Sequence, residues 1–205
     1  MNDDIYGPAT WVIDAIRRSL KGEAAARVKG RLAEQDLSPA AVMTPAPRRL
    51  AATRFLPECV AASMFTSPDV AAALAETEEF LHWRQNPNYS DRQMGAGYMD
   101  SYAYAELIGP NGFFAGDDFL LGLLLLGPNR HYRDHHHAAP ELYWLLTEPS
   151  EWRLGNGEFE MREAGETIWH DPHIVHATRT GVGPLLAVWA WTRDVREPAR
   201  LAEAP

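Results

Sequence analysis

Histidines are concentrated in one stretch of this chain, and their spacing suggests a metal site. Seven of the eight histidines lie between His131 and His176. Within that stretch, His135, His137 and Glu141 form an H-x-H-x3-E pattern. Residues two apart on an extended strand point to the same side, so both histidines can reach one ion. Two imidazoles and a carboxylate suit Fe2+, Zn2+ or Mn2+ better than Ca2+ or Mg2+.

A second motif, Pro172-His-Ile-Val-His176, begins another strand-like run. A histidine-rich turn can also be a solvated loop. The second motif favours a metal site over a loop, because it supplies a further ligand from a distant strand. We therefore expect one divalent transition metal ion per chain. The predicted ligands are His135, His137, Glu141 and His176.

Two tyrosines are candidates for proton transfer beside this ion. Tyr143 follows Glu141 by two residues, so on one strand both project to the same side. A nearby divalent cation stabilises a phenolate, which is a competent general base. Tyr132 precedes the histidines and could line the same opening. Either tyrosine could equally be a packing residue.

Aromatic residues accumulate in the same half of the chain. An aromatic wall beside a metal suits a ligand whose cation rests on ring faces while the metal holds its anion. Such rings also fill barrel cores, so both interpretations stay open. The candidate substrate-contacting rings are Trp189, Trp191, Tyr98, Tyr102 and Tyr104.

Composition narrows the classes of partner. A formal charge of −9 and the absence of a basic stripe argue against nucleic acid and anionic membranes as partners. The single Cys59 excludes an intramolecular disulfide. The most apolar run, Phe119 to Leu126, is too short to cross a bilayer. No signal-peptide pattern opens the sequence, so we expect a cytoplasmic protein, with oligomerisation left open.

The pattern of apolar residues changes character near residue 95. Before it, the spacing from Trp11 predicts an amphipathic helix that continues to Leu32, and Ser67-Pro68-Asp69 predicts a helix start with a capping hydroxyl. After it, short strands separated by glycine-rich turns predict a sandwich or barrel. The predicted strands are Ser101–Ile108, Phe119–Leu126, His131–His137, Glu141–Thr147, Glu158–Arg162, Glu166–His170, His176–Thr180 and Leu185–Thr192.

The two histidine motifs resemble those of the cupin superfamily, H-x-H-x3-E and P-x3-H after a glycine-led strand. The resemblance implies a mainly β fold, a double-stranded β-helix, with the α-helices of the N-terminal part packed on it. We expect a helical segment at residues 1–94 and a metal-binding cupin barrel at residues 95–205.

Within that superfamily, the chain is similar to cupin-fold lyases of dimethylsulfoniopropionate (DMSP), of the DddQ type. The residues that carry the similarity are Tyr132, the histidine triplet 135–137, Ala139-Pro140-Glu141-Leu142-Tyr143-Trp144 and Pro172-x3-His176. It implies a carbon–sulfur lyase that cleaves DMSP to dimethyl sulfide and acrylate by β-elimination. It also implies that Tyr143 is the base and that Tyr132 shapes the pocket or assists proton removal.

Two other functions use the same residues. A different cupin enzyme, such as an Fe(II) dioxygenase or a sugar isomerase, would have the same ligands, and oxygen consumption would separate the dioxygenase from a lyase. A cupin that only binds a small molecule is the third possibility. A cupin that regulates transcription is disfavoured, because the acidic N-terminal half has no basic recognition helix.

Overall fold

Helices dominate the first part of the structure, a computed structural model that describes residues 3–202. They are α1 Asp3–Ser19, α2 Glu23–Ala33, α3 Leu56–Thr66, α4 Pro68–Thr77 and the short α5 Asp91–Met94. The single helix predicted to reach Leu32 is divided into α1 and α2. The division falls at Gly22, whose φ of 93° is open to glycine but incompatible with a helix. No helix within residues 3–202 is long and apolar enough to cross a membrane.

Helix α4 begins at Pro68 as predicted, but the predicted capping hydroxyl is wrong. The Ser67 side chain makes no capping hydrogen bond. Instead its backbone N–H donates to the Ser63 carbonyl at 2.8 Å, because α3 ends directly where α4 begins. Helix α3 is absent from the sequence prediction.

The remaining chain forms two antiparallel sheets, and its strands lie at the predicted places with ends shifted by no more than two residues. The structure adds three strands that the sequence did not indicate, β1, β6 and β11. The strands are β1 Trp83–Arg84, β2 Tyr102–Ile108, β3 Leu120–Leu126, β4 His131–His136, β5 Glu141–Leu145, β6 Ser150–Leu154, β7 Glu160–Arg162, β8 Thr167–His170, β9 His176–Thr180, β10 Leu185–Trp191 and β11 Arg200–Leu201.

The strand order makes a double-stranded β-helix. One sheet has the order β1-β2-β3-β10-β5-β8 and the other β11-β4-β9-β6-β7, so from β3 to β11 the chain alternates between the sheets, apart from the adjacent pair β6 and β7. The fold is therefore mainly β with N-terminal helices, as expected. The two sheets face each other. Along the strands of the larger sheet, alternate residues point to opposite sides and belong to two different apolar clusters.

The first cluster lies between the larger sheet and the helices. Leu121, Leu123 and Leu125 of β3 pack there with Val12 and Ile16 of α1. The second lies between the two sheets, where the cavity-facing residues of the larger sheet contact Tyr132 and Trp152 of the smaller one. Because both faces of β3 are buried, its sequence is an unbroken apolar run.

Candidate metal centre and substrate cavity

Four strand ends meet at one end of the barrel and carry the chemistry. His135 pairs with His176 between β4 and β9, in the smaller sheet. Glu141 pairs with His170 between β5 and β8, in the larger sheet. His137 follows the end of β4, and its carbonyl accepts the backbone N–H of His173 at 2.8 Å. Each sheet thus contributes a pair of ionisable side chains to the space between the sheets.

Three of the predicted ligands form a compact buried group. His137, Glu141 and His176 each offer one ligand atom, and these atoms lie within 4.8 Å of one another. Glu141 Oε2 is 2.9 Å from His137 Nε2 and 3.6 Å from His176 Nε2. Two atoms that each lie about 2.1 Å from one ion are roughly 3 to 3.4 Å apart, so these separations suit shared ligands of a single ion.

Backbone carbonyls fix the orientation of the histidine rings. The Nδ1 atoms of His135, His137 and His176 lie 2.8, 2.8 and 2.9 Å from the carbonyl oxygens of Arg133, Ala139 and Ile174. A carbonyl can only accept, so each Nδ1 carries its hydrogen and each Nε2 is the nitrogen available for a metal. This arrangement is common around metal-binding histidines.

Electrostatics favour the ionic forms that bind metal. Burial opposes ionisation of Glu141, but His137 and His170 outweigh it and hold the pKa of the carboxyl well below its usual range. Burial, reinforced by the neighbouring imidazoles, lowers the pKa of His176 well below its usual value. Burial also lowers the pKa of His135 to about 3. The site therefore combines an ionised carboxylate at Glu141 with neutral imidazoles at His135 and His176, the forms that bind a divalent ion.

The Nε2 atoms of His176 and His137 also fit a metal ion. His176 Nε2 is buried without a hydrogen-bond partner among residues 3–202. His137 contacts two acceptors, a carbonyl at Nδ1 and the Glu141 carboxylate at Nε2, so a cation at Nε2 would replace a proton there. A buried site of this composition could bind a metal ion.

His135 lies beside this group and outside the set of atoms within 4.8 Å. Its ring centroid is 4.0 Å from that of His176, and its other side is covered by Tyr132, whose ring is stacked on it at 3.9 Å and 3°. His135 is thus adjacent to the three closest residues. Its role as a ligand stays a prediction.

His170 belongs to the site although the sequence analysis does not select it. It is fully buried, its Nδ1 lies 3.3 Å from Glu141 Oε2, and its ring centroid is 4.0 Å from that of His176. An ionised carboxylate only accepts, so His170 donates to Glu141 and can orient it. The signal for His170 is the pairing of β5 with β8, which aligns it with Glu141.

The two tyrosines occupy different surroundings. Tyr143 lies on β5 with its ring 5.5 Å from that of His170. Burial, followed by the Glu141 carboxylate, raises its pKa well above the usual value. The Tyr132 hydroxyl lies 3.2 Å from that of Tyr89, and burial also raises the pKa of Tyr132. Both phenols are therefore neutral in the protein alone.

A cavity of about 500 Å³ opens beside Glu141, and its mostly apolar lining includes six aromatic side chains. Four of the five predicted rings line it: Trp189, Trp191, Tyr102 and Tyr104. Tyr98 does not line it; its ring is stacked behind Tyr102 at 5.2 Å. Both candidate proton-transfer residues, Tyr132 and Tyr143, are in the cavity wall.

The two tryptophans of β10 differ in their contacts. Trp191 contacts two residues of the candidate metal centre: its Nε1 donates to Glu141 Oε1 at 2.8 Å, and its ring stacks on His137 at 4.4 Å. Trp189 Nε1 is buried without a partner among residues 3–202, and its ring lies 6.1 Å from that of Tyr104. Trp189 is thus the tryptophan whose ring remains available to a ligand.

A double-stranded β-helix with histidines and a glutamate converging inside it defines the class of protein as a cupin. The family model described as dimethylsulfoniopropionate lyase matches residues 24–187 of the chain. The chain therefore belongs to the DMSP lyase family, which confirms the resemblance of its motifs and the expectation of a lyase.

Curated relatives and solved structures agree with this membership. DMSP lyase DddQ of Ruegeria pomeroyi is 29% identical over 143 residues, which cover 66% of this chain and 70% of that protein. The putative DMSP lyase DddL of Cereibacter sphaeroides is 27% identical over 124 residues, which cover 60% of this chain and 50% of that protein.

The likeness to solved structures extends over nearly the whole chain. A structure from a study of the DMSP lyases RdDddP and RnDddQII has a TM-score of 0.74 at 21% identity and covers 96% of this chain and 98% of its own. The structure of DddQ from Ruegeria pomeroyi has a TM-score of 0.61 at 23% identity, with coverages of 92% and 96%. At these identities the likeness is one of fold, and it includes the N-terminal helices.

Proposed function

We propose that this chain cleaves DMSP to dimethyl sulfide and acrylate by a β-elimination that depends on one divalent metal ion. The observation that carries the proposal is the position of Tyr143, on the cavity wall and two residues after Glu141, in a chain of the DMSP lyase family. A lyase of this kind needs a base beside the ion that would bind the substrate carboxylate, and β5 carries both the proposed base and one proposed ligand of that ion.

The residues proposed to hold the ion are His137, Glu141 and His176, with His135 as a fourth. Fe2+, Zn2+ and Mn2+ all suit this donor set. When bound, the ion would act as a Lewis acid on the substrate carboxylate, acidifying the adjacent C–H bond and favouring the phenolate of a nearby tyrosine. His170 and Trp191 donate to the two oxygens of Glu141 and so hold that carboxylate in one orientation.

Tyr143 is proposed as the base that removes the proton next to the carboxylate. The electron pair of that C–H bond becomes the second bond of acrylate, the carbon–sulfur bond breaks, and the sulfonium leaves as neutral dimethyl sulfide. Tyr132, whose hydroxyl bonds with that of Tyr89, is proposed to shape the pocket. The reaction involves no change of oxidation state that would require oxygen or a reductant.

Headspace measurement of dimethyl sulfide, from purified protein incubated with DMSP, tests the proposal directly. We expect equimolar dimethyl sulfide and acrylate, without oxygen consumption, and loss of activity on chelation that returns with added Fe2+, Zn2+ or Mn2+. Oxygen uptake without dimethyl sulfide would instead identify a dioxygenase. Binding of DMSP without turnover in the metal-loaded protein would identify a binding protein.

The broader setting of the protein is proposed from the sequence. Residues 95–205 would carry the chemistry, while residues 1–94 would support the barrel and supply Tyr89 as the hydrogen-bond partner of Tyr132. Residues 1–2 and 203–205 lie outside the described part. A cytoplasmic location, the lack of nucleic-acid and membrane partners, and the oligomeric state stay predictions or open questions.

A further inference from the structure

The cavity contains a second buried carboxylate, at the end away from the histidines. Glu106 lies on β2, is 7% exposed and lines the cavity. It shares a side of β2 with Tyr102 and Tyr104, since the three alternate along the strand, and these two rings line the cavity as well. The chemistry proposed for the candidate metal centre does not use this carboxylate.

Strand register places Glu106 in line with the proposed base. Glu106 pairs with Gly122, Gly122 with Trp189, and Trp189 with Tyr143, in one row across β2, β3, β10 and β5. Neighbouring strands are about 4.8 Å apart, so the backbones at the two ends of this row are roughly 14 Å apart across the sheet. A small ligand near Tyr143 therefore has Glu106 at its far side and Trp189 between the two.

Gly122 lets the Trp189 ring occupy that intermediate position. A Cβ at residue 122 would lie 2.7 Å from two atoms of the Trp189 ring and 2.4 Å from the carbonyl oxygen of Ala105. The indole thus lies over the glycine, directed across β3 toward the strand that carries Glu106. Any larger residue at position 122 would displace the ring.

The Glu106 carboxylate has hydrogen bonds but no positive partner. Its oxygens accept the backbone N–H of Asn111 at 2.8 Å and face the Asn111 side-chain amide at 3.3 and 3.4 Å. None of the ion pairs within residues 3–202 includes Glu106. A buried carboxylate without a cation is costly, and a bound cation would offset that cost.

Two arginines also line the cavity, and their positions differ from that of Glu106. Arg196 is exposed, so water and salt screen its charge. Arg84 is half-buried and interacts with Tyr104. The charge of the buried Glu106 carboxylate is therefore less screened than that of either arginine. It favours a cation in the part of the cavity next to Trp189.

We propose that Glu106 and the Trp189 ring form a cation subsite that binds the sulfonium of the substrate, and that Glu106 is a specificity-determining residue. The identity of the ligand rests on the proposed function. In this arrangement the substrate lies with its carboxylate at the candidate metal centre and its positive end between the indole face and the Glu106 carboxylate. The subsite selects zwitterions over simple carboxylates of the same shape.

The variant Glu106→Gln tests the charge with little change in shape. Glutamine keeps an oxygen that can accept the Asn111 N–H. We expect KM for DMSP to rise roughly tenfold, equivalent to about 1.4 kcal/mol, with a much smaller change in kcat. The inhibition constant of 4-methylpentanoate, which has a neutral carbon in place of the sulfur, should change by less than about twofold.

Two further variants separate the charge from other roles of Glu106. Asn111→Ala removes a side-chain contact of Glu106 while keeping its charge, so KM should stay near the wild-type value. Arg84→Gln should leave KM unchanged or lower it, because a positive charge near the subsite is lost. If the substrate bound in the opposite direction, with its carboxylate at Arg84, that variant would instead raise KM for DMSP and weaken 4-methylpentanoate.

Several results would overturn the inference. They are an unchanged KM in Glu106→Gln, an equal weakening of DMSP and 4-methylpentanoate, or an Asn111→Ala variant that reproduces the effect. If Glu106→Gln does not fold, calorimetry on the Tyr143→Phe variant gives the answer: equal affinity for the two ligands would contradict a cation subsite. The same calorimetric comparison applies if the wild type releases no dimethyl sulfide. Failure of the proposed lyase activity can therefore be told apart from failure of the cation subsite.

Discussion

The two faces of the larger sheet are built from alternate residues of the same strands, yet their chemistry is opposite. On the helix-facing side, β10 contributes Leu186, Val188 and Ala190 to an apolar core. On the cavity-facing side, it contributes Trp189 and Trp191, next to the Glu141 carboxylate. The helices cover most of one face of the larger sheet with apolar side chains, and the other face carries charged and aromatic groups.

This comparison predicts that substitutions on the cavity face change kcat or KM, while substitutions on the helix face change only stability. Tyr143→Phe should have the largest effect. Phenylalanine keeps the ring and deletes the atom that takes the proton, so kcat should fall on the order of a hundred- to ten-thousand-fold. Metal content and fold should be retained, and activation on the alkaline side should disappear from the pH–rate profile.

Tyr132→Phe is the matched control, since it also removes one hydroxyl from the cavity wall. Its loss should be much smaller than that of Tyr143→Phe. A Tyr143→Phe enzyme that keeps more than about a tenth of the wild-type rate, beside an inactive Tyr132→Phe enzyme, would assign the base to Tyr132.

His176→Ala should remove the metal and, through it, most of the activity. It deletes a buried Nε2 that has no other partner among the described residues. Elemental analysis should find about one divalent transition ion per wild-type chain and little in His176→Ala or Glu141→Ala. Full occupancy in both variants would contradict the ligand set. His170→Ala should weaken metal binding less, by roughly ten- to a hundredfold, because it supports Glu141 from behind.

Trp189→Leu should have a moderate effect, confined to KM. Leucine keeps an apolar side chain but removes the ring quadrupole, and a cation–π contact is worth about 0.5 to 2 kcal/mol. KM for DMSP should therefore rise about two- to thirtyfold. Trp189→Phe, which keeps a ring, should lie between the leucine variant and the wild type. Equal KM values in all three proteins would mean that the ring only fills the core.

Short strand-like runs separated by glycine-rich turns made most strands of the two sheets predictable from the sequence. Strand β6 was not predicted, because Ser150, Glu151 and Arg153 interrupt the apolar pattern that would have marked it. Tyr98 was assigned to the wall together with Tyr102 and Tyr104, because the three aromatic residues lie close together in the sequence. However, β2 begins only at Tyr102, and a helical turn at Met99–Ser101 separates Tyr98 from the strand.

The candidate metal centre was predictable for the residues whose spacing is local. The H-x-H-x3-E and P-x3-H motifs indicate His137, Glu141 and His176, and the structure brings these three together. His170 and Glu106 have no such spacing. Their positions become clear only from strand pairing: β8 aligns His170 with Glu141, and β2 aligns Glu106 with Gly122. These pairings join residues far apart in the sequence, so no local motif indicates them.

The smallest effect on turnover is expected on the helix face, where two neighbouring leucines provide a matched pair. Leu123 and Leu124 follow each other on β3, and both are buried. Leu123 packs in the helix-facing cluster, whereas Leu124 lines the cavity. Replacing either by alanine should lower the free energy of unfolding by about 2 to 5 kcal/mol.

Only one of the two should alter kinetics. Leu124→Ala removes apolar surface from the cavity wall, and one lost methylene contact, worth about 0.8 kcal/mol, would raise KM for DMSP about fourfold. Leu123→Ala should leave KM and kcat within about twofold of wild type at a temperature where both variants remain folded. Denaturant unfolding and steady-state kinetics on the two proteins measure these outcomes side by side. A comparable rise of KM in Leu123→Ala would show that the helix face influences the cavity and is more than a support for it.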